Sequence, residues 1–223
     1  MRGARRRHRR RGHGRPGPRR RRRREVRRRL RRPDPARHPR LPRPPGRPVT
    51  APAGPPAVVL VGPPGAGKST VGRILAGRLG TDYRDTDADI EAAAGKPIPE
   101  IFIDEGEPHF RDLERTAVRE ALAGHAGVLS LGGGAIMDAA TRVLLTGLPV
   151  VFLDVGLHAA VHRVGLDAPR PLLAVNPRQS WRELMEARRP LYTEVARAVV
   201  ATDEGTPEDV AEAVLDALQL KDA

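Results

Sequence analysis

From residue 57 onward, short apolar runs alternate with longer stretches in which apolar residues recur at helical spacing. The apolar runs predict strands at residues 57–61, 82–85, 127–131, 149–153 and 198–201. The stretches between them predict helices at residues 68–79, 87–94, 108–123, 139–146, 157–163, 178–196 and 207–218. Strands that alternate with helices are typical of βαβ units. We therefore expect an α/β domain of three layers, with a central parallel β-sheet flanked by helices.

The first 56 residues show no hydrophobic pattern that could form a core. They contain twelve prolines and no aromatic residue. Residues 1–50 carry 23 arginines and two acidic residues, a net charge of +21, whereas the rest of the chain carries −8. Such a segment buries too little apolar surface to offset the entropy lost on ordering. We expect a disordered basic tail at residues 1–56 and one folded domain at residues 57–221.

The tail has three interpretations. An arginine-rich arm is typical of nucleic-acid binding through phosphate contacts. A targeting peptide is disfavoured, because no apolar core follows the arginines and serine is missing from the tail. The abundance of Arg, Pro, Gly and Ala favours a GC-rich stretch translated upstream of the true start, and Val49 is an alternative start. We favour this third interpretation and expect no nucleic-acid partner.

The composition excludes several classes of protein. The 223 residues include no cysteine, which excludes disulfides, thiol nucleophiles and cysteine-ligated zinc and is compatible with a reducing cytosol. No apolar run approaches the roughly 20 residues of a membrane helix. We expect a cytoplasmic monomer without membrane attachment.

A phosphate-binding motif opens the folded domain. Residues 62–69 read GPPGAGKS, which fits the pattern G-x-x-x-x-G-K-[ST] without a mismatch. The motif follows a predicted strand and begins a predicted helix, where backbone N–H groups can surround phosphate oxygens. Lys68 would reach the β- and γ-phosphates, and the Ser69 hydroxyl would ligate Mg²⁺. Because no N-K-x-D motif occurs, a small-molecule kinase is favoured over a GTPase.

Two carboxylates, Asp85 and Asp87, lie at the carboxyl end of the second predicted strand. The carboxyl ends of strands form the ligand-binding edge of open α/β sheets. One carboxylate could hold a magnesium-bound water, and the other could accept a proton from an attacking hydroxyl. Alternatively, Asp87 is the N-cap of the next helix.

Further candidates lie downstream. Arg111 and Glu114 share one face of a predicted helix, so the carboxylate could hold the guanidinium for capture of an anionic substrate, or the two could form a solvated surface pair. Residues 132–134 are three glycines directly after a strand, where a ligand could approach the backbone. Arg170 lies within a Gly- and Pro-containing segment, around residues 165–171, which we interpret as a lid that could close over the phosphates.

The ordered set of motifs resembles the shikimate kinase family over about residues 57–218. The matching motifs are GPPGAGKST, DTDADIE, GEPHFRDLE, SLGGGA, RPLL and RRPLY. This resemblance implies a P-loop kinase fold, the use of ATP and Mg²⁺, and phosphorylation of the 3-hydroxyl of shikimate in aromatic amino-acid biosynthesis.

The resemblance also implies roles for individual residues. Shikimate would be bound by Asp87, Arg111, Gly133 and Arg188. Catalysis would depend on Lys68, Asp87 and the lid residue Arg170. Nucleotide would be bound by Gly65, Ala66, Gly67, Lys68, Ser69, Thr70, Arg163 and Arg170. Magnesium would be held by Ser69 and, through water, by Asp85.

The main alternative is a related P-loop sugar-acid kinase of the gluconate type. It would share the phosphate loop and an anionic polyol acceptor. The ordered set of G-E-x-x-F-R-x-x-E, the glycine triplet and RPLL argues against it.

Overall fold

The computed structural model describes residues 54–164 and 177–220. Most of the expected tail, residues 1–53, and the expected lid with Arg170 therefore lie outside the described residues. The strands are β1 (Val58–Val61), β2 (Tyr83–Asp85), β3 (Val128–Ser130), β4 (Val150–Asp154) and β5 (Ala198–Ala201). They form one five-stranded sheet in the order β2-β3-β1-β4-β5, and every pairing is parallel. The expected central parallel sheet is confirmed.

The sheet carries the phosphate loop and the acidic motif to the same edge. Strand β1 is buried along its whole length and pairs with β3 on one side and β4 on the other. In the register of the neighbouring pair, Asp85 lies beside Ser130 at the ends of β2 and β3. Because all strands are parallel, the residues that follow β1, β2 and β3 meet at the carboxyl edge, where ligands bind in such folds.

Eight α-helices are present in the described residues. They are α1 (Lys68–Arg78), α2 (Thr86–Ala94), α3 (Ile98–Asp104), α4 (Gly106–Gly124), α5 (Ala139–Leu145), α6 (Leu157–Val164), α7 (Pro177–Val195) and α8 (Pro207–Leu218). Seven of them match predicted helices to within two residues at each end. None of these helices combines the length and apolar character needed to cross a membrane.

Helix α3 was not predicted. It has only seven residues, begins after Pro97 and ends just before Gly106. Proline and glycine at both ends are typical of a loop. Its stability comes from tertiary packing, because a helix this short is marginal alone. A 3₁₀ turn at Ala135–Met137, directly after the glycine triplet, was also not predicted.

The apolar side chains form two clusters. The larger cluster surrounds the sheet and includes β1, β3, β4 and the buried faces of α1 and α8. The smaller cluster joins α2, α3 and α4 through five buried residues, Ile90, Ile101, Phe110, Leu113 and Ala117. The small cluster therefore supports the helices that carry Asp87 and Arg111.

Candidate active site

The phosphate loop closes around the ammonium group of Lys68. Gly62 has a φ of 149°, and a Cβ there would stand 2.6 Å from the backbone oxygen of Leu153, so this position requires glycine. The Lys68 ammonium donates to the carbonyl oxygens of Gly62 at 2.8 Å and Pro63 at 3.1 Å. The loop thus places a cation at the N-terminus of α1, the end of a helix that attracts phosphate.

Asp85 connects the phosphate loop to α2. The Ser69 hydroxyl donates to Oδ2 of Asp85 at 3.1 Å, and the backbone N–H of Asp87 donates to Oδ1 at 3.1 Å. Asp85 is therefore the N-cap of α2, and the alternative that Asp87 caps this helix is wrong. A hydroxyl and a carboxylate beside a phosphate loop are hard oxygen donors of the kind Mg²⁺ prefers. Ser69 and Asp85 fit the expected magnesium site.

Asp87 lies in the first turn of α2, in surroundings that favour its neutral form. Burial, together with the negative charges of Asp85, Glu114 and Glu91, raises the pKa of Asp87 to about 6, and the positive charge of Lys68 limits this rise. A carboxyl with this pKa is ionised at neutral pH and is a stronger proton acceptor than an exposed aspartate.

The glycine triplet, residues 132–134, packs directly against the side chains of Asp87 and Arg111. A Cβ on Gly132 would collide with the Asp87 carboxylate, and a Cβ on Gly134 would collide with the guanidinium of Arg111. The backbone N–H of Gly132 also donates to the hydroxyl of Thr86 at 3.0 Å. These glycines therefore provide space for side chains from α2 and α4.

Arg111 is held by two carboxylates on its own helix. Its Nη1 donates to Oε2 of Glu114 at 2.6 Å, and its Nη2 donates to Oε1 of Glu107 at 2.9 Å. The Glu114 side chain is only 5% exposed, against 55% for Glu107. The interpretation of Arg111 and Glu114 as a solvated surface pair is therefore wrong. Burial raises the pKa of Glu114, and the nearby charges of Arg111 and Arg188 oppose this rise.

Arg188 joins the same group of residues from α7. Its Nη1 donates to the carbonyl oxygen of Gly133 at 2.9 Å, and the Tyr192 hydroxyl donates to the same oxygen at 2.6 Å. The structure brings together all four residues predicted to bind the phosphoryl acceptor, which are Asp87, Arg111, Gly133 and Arg188. They converge around the glycine triplet, although the first and the last lie 101 positions apart in the chain. Two cations and one carboxylate that face the same backbone turn suit an acceptor that carries both an anionic group and hydroxyls.

The remaining predicted nucleotide residues are only partly described. Arg163 on α6 donates to the hydroxyl of Thr202 at 3.2 Å and to its carbonyl oxygen. These contacts place Arg163 at the carboxyl end of β5, two strands away from β1. Gly65, Ala66 and Gly67 form the turn before α1, which Lys68, Ser69 and Thr70 begin.

The sequence motifs alone predict no role for Tyr83 or Tyr192. Both hydroxyls bond inside the site, Tyr83 to Asp85 at 2.8 Å and Tyr192 to Gly133. The chain contains only these two tyrosines. Their rarity and their positions beside DTDADIE and within RRPLY were the signals available in the sequence.

Comparison with known proteins identifies the family. A family model described as shikimate kinase matches residues 64–219. The shikimate kinase of Streptomyces coelicolor is 66% identical over 168 residues, which cover 75% of this chain and 98% of that protein. The shikimate kinase of Streptomyces avermitilis is 67% identical with the same coverage.

A solved structure agrees with these relatives. Shikimate kinase from Acinetobacter baumannii in complex with shikimate matches with a TM-score of 0.70 and 43% sequence identity, covering 73% of this chain and 92% of that one. Membership in one family explains the ordered motifs, the parallel sheet and the residues that converge on the glycine triplet. This chain belongs to the shikimate kinase family.

Proposed function

We propose that this chain transfers the γ-phosphoryl group of ATP to the 3-hydroxyl of shikimate and releases 3-phosphoshikimate and ADP. The family match and the 66–67% identity to two shikimate kinases support this reaction. The product would feed the biosynthesis of aromatic amino acids. The observation that carries the proposal is the convergence of Asp87, Arg111 and Arg188 on the glycine triplet, at the sheet edge that carries the phosphate loop.

At the nucleotide end, the phosphate loop would hold the triphosphate. Residues 65–70 would surround the phosphates with backbone N–H groups, and Lys68 would neutralise charge on the transferred group. Ser69 and Asp85 would hold Mg²⁺, the latter through water. The ion held by these two residues would supply positive charge that offsets the charge of the phosphates. Arg163 and the lid residue Arg170 would complete the nucleotide site.

At the acceptor end, charge complementarity supports shikimate, which carries a carboxylate and three hydroxyls. Arg111 and Arg188 would bind the carboxylate, since guanidinium groups bind carboxylates by two parallel hydrogen bonds. The backbone of Gly133 and the carboxylate of Asp87 would contact the hydroxyls. The guanidinium of Arg111 would be oriented before shikimate binds, because Glu114 and Glu107 accept hydrogen bonds from its two terminal nitrogens.

Asp87 would act as the base of the transfer. Its carboxylate would accept the proton of the 3-hydroxyl as the hydroxyl oxygen forms a bond to the γ-phosphorus. The bond between this phosphorus and the oxygen bridging it to the β-phosphorus would break, and ADP would leave. Lys68 and Arg170 would stabilise the charge that develops on the transferred group.

A coupled assay of ADP release distinguishes this function from the gluconate alternative. ATP should be consumed rapidly with shikimate, and gluconate should give a rate at least a hundredfold lower. The matched control is Lys68→Ala, which should lose more than tenfold in rate, or more than about 1.4 kcal/mol of transition-state stabilisation. Equal rates with both acceptors, or none with shikimate, would reject the proposal.

We further propose that the enzyme works as a monomer in the cytoplasm. All proposed acceptor residues come from one chain, so a second copy is not needed to complete this part of the site. Light scattering after size-exclusion chromatography would test this, with a mass near 24.3 kDa expected. A stable dimer would contradict it.

A further inference from the structure

The carboxylate of Asp85 has three hydrogen-bond donors, and one of them has no part in the proposed mechanism. Ser69 and the backbone of Asp87 account for two of these bonds, both 3.1 Å long. The third comes from the hydroxyl of Tyr83, at 2.8 Å from Oδ2. It is the shortest of the three, and it reaches the oxygen that also accepts from Ser69.

The ring of Tyr83 packs against two adjacent residues of α1. Gly72 leaves the space that the ring fills, since a Cβ there would collide with ring carbon Cε2. The guanidinium of Arg73 lies 5.3 Å from the ring centroid, within the range of a cation–π contact. The hydroxyl is therefore held at Asp85 by packing as well as by its own hydrogen bond.

The Tyr83 hydroxyl is a permanent donor at neutral pH. A neutral phenol has one proton to donate, and Asp85 is the acceptor it contacts.

We propose that Tyr83 is a positioning residue for the magnesium site: its hydroxyl fixes the orientation of the Asp85 carboxylate against Ser69. This inference rests on the proposed function of Ser69 and Asp85 as the residues that hold Mg²⁺. The backbone bond from Asp87 fixes Oδ1, and the bond from Tyr83 fixes Oδ2, so rotation about the Cβ–Cγ bond would break both.

The consequence for the metal follows from the chemistry of Ser69. A serine that ligates Mg²⁺ does so through an oxygen lone pair, and its proton remains available for donation to a carboxylate. Asp85 can accept this proton only while Oδ2 faces Ser69. Groups that orient metal ligands in this way typically change metal affinity by 10- to 100-fold when removed.

The direct test is the Mn²⁺ affinity of the enzyme–ADP complex, measured by electron paramagnetic resonance for the full chain and for Tyr83→Phe. The substitution removes only the hydroxyl and keeps the ring against Gly72. We expect Mn²⁺ to bind about tenfold more weakly to Tyr83→Phe. The dissociation constant for shikimate, measured calorimetrically without nucleotide, should change less than twofold.

Tyr192→Phe is the matched control, because it removes the only other phenolic hydroxyl of the chain. Tyr192 bonds to Gly133 on the acceptor side, so its loss should weaken shikimate binding and leave the Mn²⁺ affinity unchanged. Opposite effects of the two substitutions would support the proposal. A lower melting temperature of Tyr83→Phe with unchanged Mn²⁺ affinity would overturn it, because Tyr83 would then be a packing residue only.

The wild-type measurement separates this inference from the proposed function. If wild-type enzyme phosphorylates shikimate and binds Mn²⁺ with ADP, but Tyr83→Phe binds Mn²⁺ equally well, only the role of Tyr83 fails. If the wild-type complex with ADP binds no Mn²⁺, the assignment of Ser69 and Asp85 to the metal fails, and the role of Tyr83 fails with it.

Discussion

At the scale of single residues, the site combines the carboxyl of Asp87, whose pKa is raised, with the nearby ammonium group of Lys68, whose charge limits the rise. Burial and the charge of Asp85 raise the pKa of Asp87 to about 6, and Lys68 limits the rise. A base must be ionised to accept a proton. We therefore predict that kcat/KM for shikimate falls about tenfold per pH unit below about pH 6 and is constant from pH 7 to 8. A profile that stays flat down to pH 5 would exclude Asp87 as the base.

The same shift predicts a change in stability for Asp87→Asn. The pKa of Asp87 is raised in the folded protein, so ionising this carboxyl costs more free energy in the folded than in the unfolded state. The free energy of unfolding is therefore highest while Asp87 is protonated, and this stabilisation is lost as the pH rises through about 6. Asparagine stays neutral. At pH 7.5 the variant should be more stable than wild type by about 3 kcal/mol at most, and nearly inactive.

Thermal melts at two pH values test this second prediction. The stability advantage of Asp87→Asn should disappear near pH 4, where Asp87 is protonated in the folded protein. An advantage of equal size at both pH values would show that the ionisation of Asp87 is not its cause.

The two carboxylates around Arg111 should contribute unequally. Glu114 is buried and Glu107 is exposed, although both bond to the same guanidinium. Glu114→Gln should raise KM for shikimate about tenfold, because the charge-assisted bond is lost where water cannot replace it. Glu107→Gln, the matched control, should change KM less than about threefold, as exposed pairs contribute little.

Kinetics with both substrates varied decide this point. KM for ATP should stay within twofold in both variants, because neither carboxylate contacts the phosphate loop in the described structure. If KM for ATP rises as much as KM for shikimate in Glu114→Gln, Glu114 supports the whole fold and does not specifically position Arg111.

At the scale of elements, the small apolar cluster of α2, α3 and α4 supports the helices that carry Asp87 and Arg111. This cluster is separate from the larger one around the sheet. Ile101 of α3 is fully buried in this cluster, which shares no buried residue with the larger one. Ile101→Ala should destabilise it by about 2–5 kcal/mol. We predict that shikimate affinity falls more than tenfold while ADP affinity changes less than threefold, as measured by calorimetry.

Leu75→Ala is the control for this prediction. Leu75 is equally buried but lies on α1, the helix that begins with Lys68 and Ser69. Its truncation should affect ADP binding at least as much as shikimate binding. Equal losses of both affinities in both variants would mean that the two clusters unfold as one unit.

The sequence predicts β1, β3 and β4 well because their apolar runs are buried almost throughout in a parallel sheet and therefore contain few polar residues. It does not predict α3, whose helical spacing of Ile98, Ile101 and Phe102 is too short to outweigh the flanking proline and glycine. The residues Asp85, Asp87 and Arg111 could be predicted because they lie within recognisable motifs. The bond between Tyr192 and Gly133 could not, because it joins residues 59 positions apart in the chain, whereas Tyr83 and Asp85 lie only two positions apart on one strand.

At the scale of the whole molecule, charge is divided between two unlike segments. Residues 1–50 carry +21 and the remainder −8. The family match begins at residue 64, and the proposed site needs no residue before the phosphate loop. We predict that a variant starting at Val49 keeps its kcat and both KM values within twofold. Its melting temperature should also stay within about 2 °C of the full chain.

Steady-state kinetics and a thermal melt of both chain lengths check this prediction. A gel-shift titration with RNA at two salt concentrations, run on both chains, tests the alternative of a nucleic-acid-binding arm. Loss of most activity in the shortened chain would contradict the interpretation of residues 1–48 as dispensable. Salt-dependent RNA binding of the full chain alone would favour the arm.

Product analysis is the most direct test of whether this chain phosphorylates shikimate at one hydroxyl. Full-length enzyme is incubated with ATP, Mg²⁺ and shikimate, and the mixture is followed by ³¹P and ¹H nuclear magnetic resonance. We predict one new phosphomonoester whose phosphorus couples to the proton on C3, formed in equal amount to ADP. Formation of ADP and inorganic phosphate without a phosphorylated shikimate, or phosphorylation of another hydroxyl, would contradict the claim.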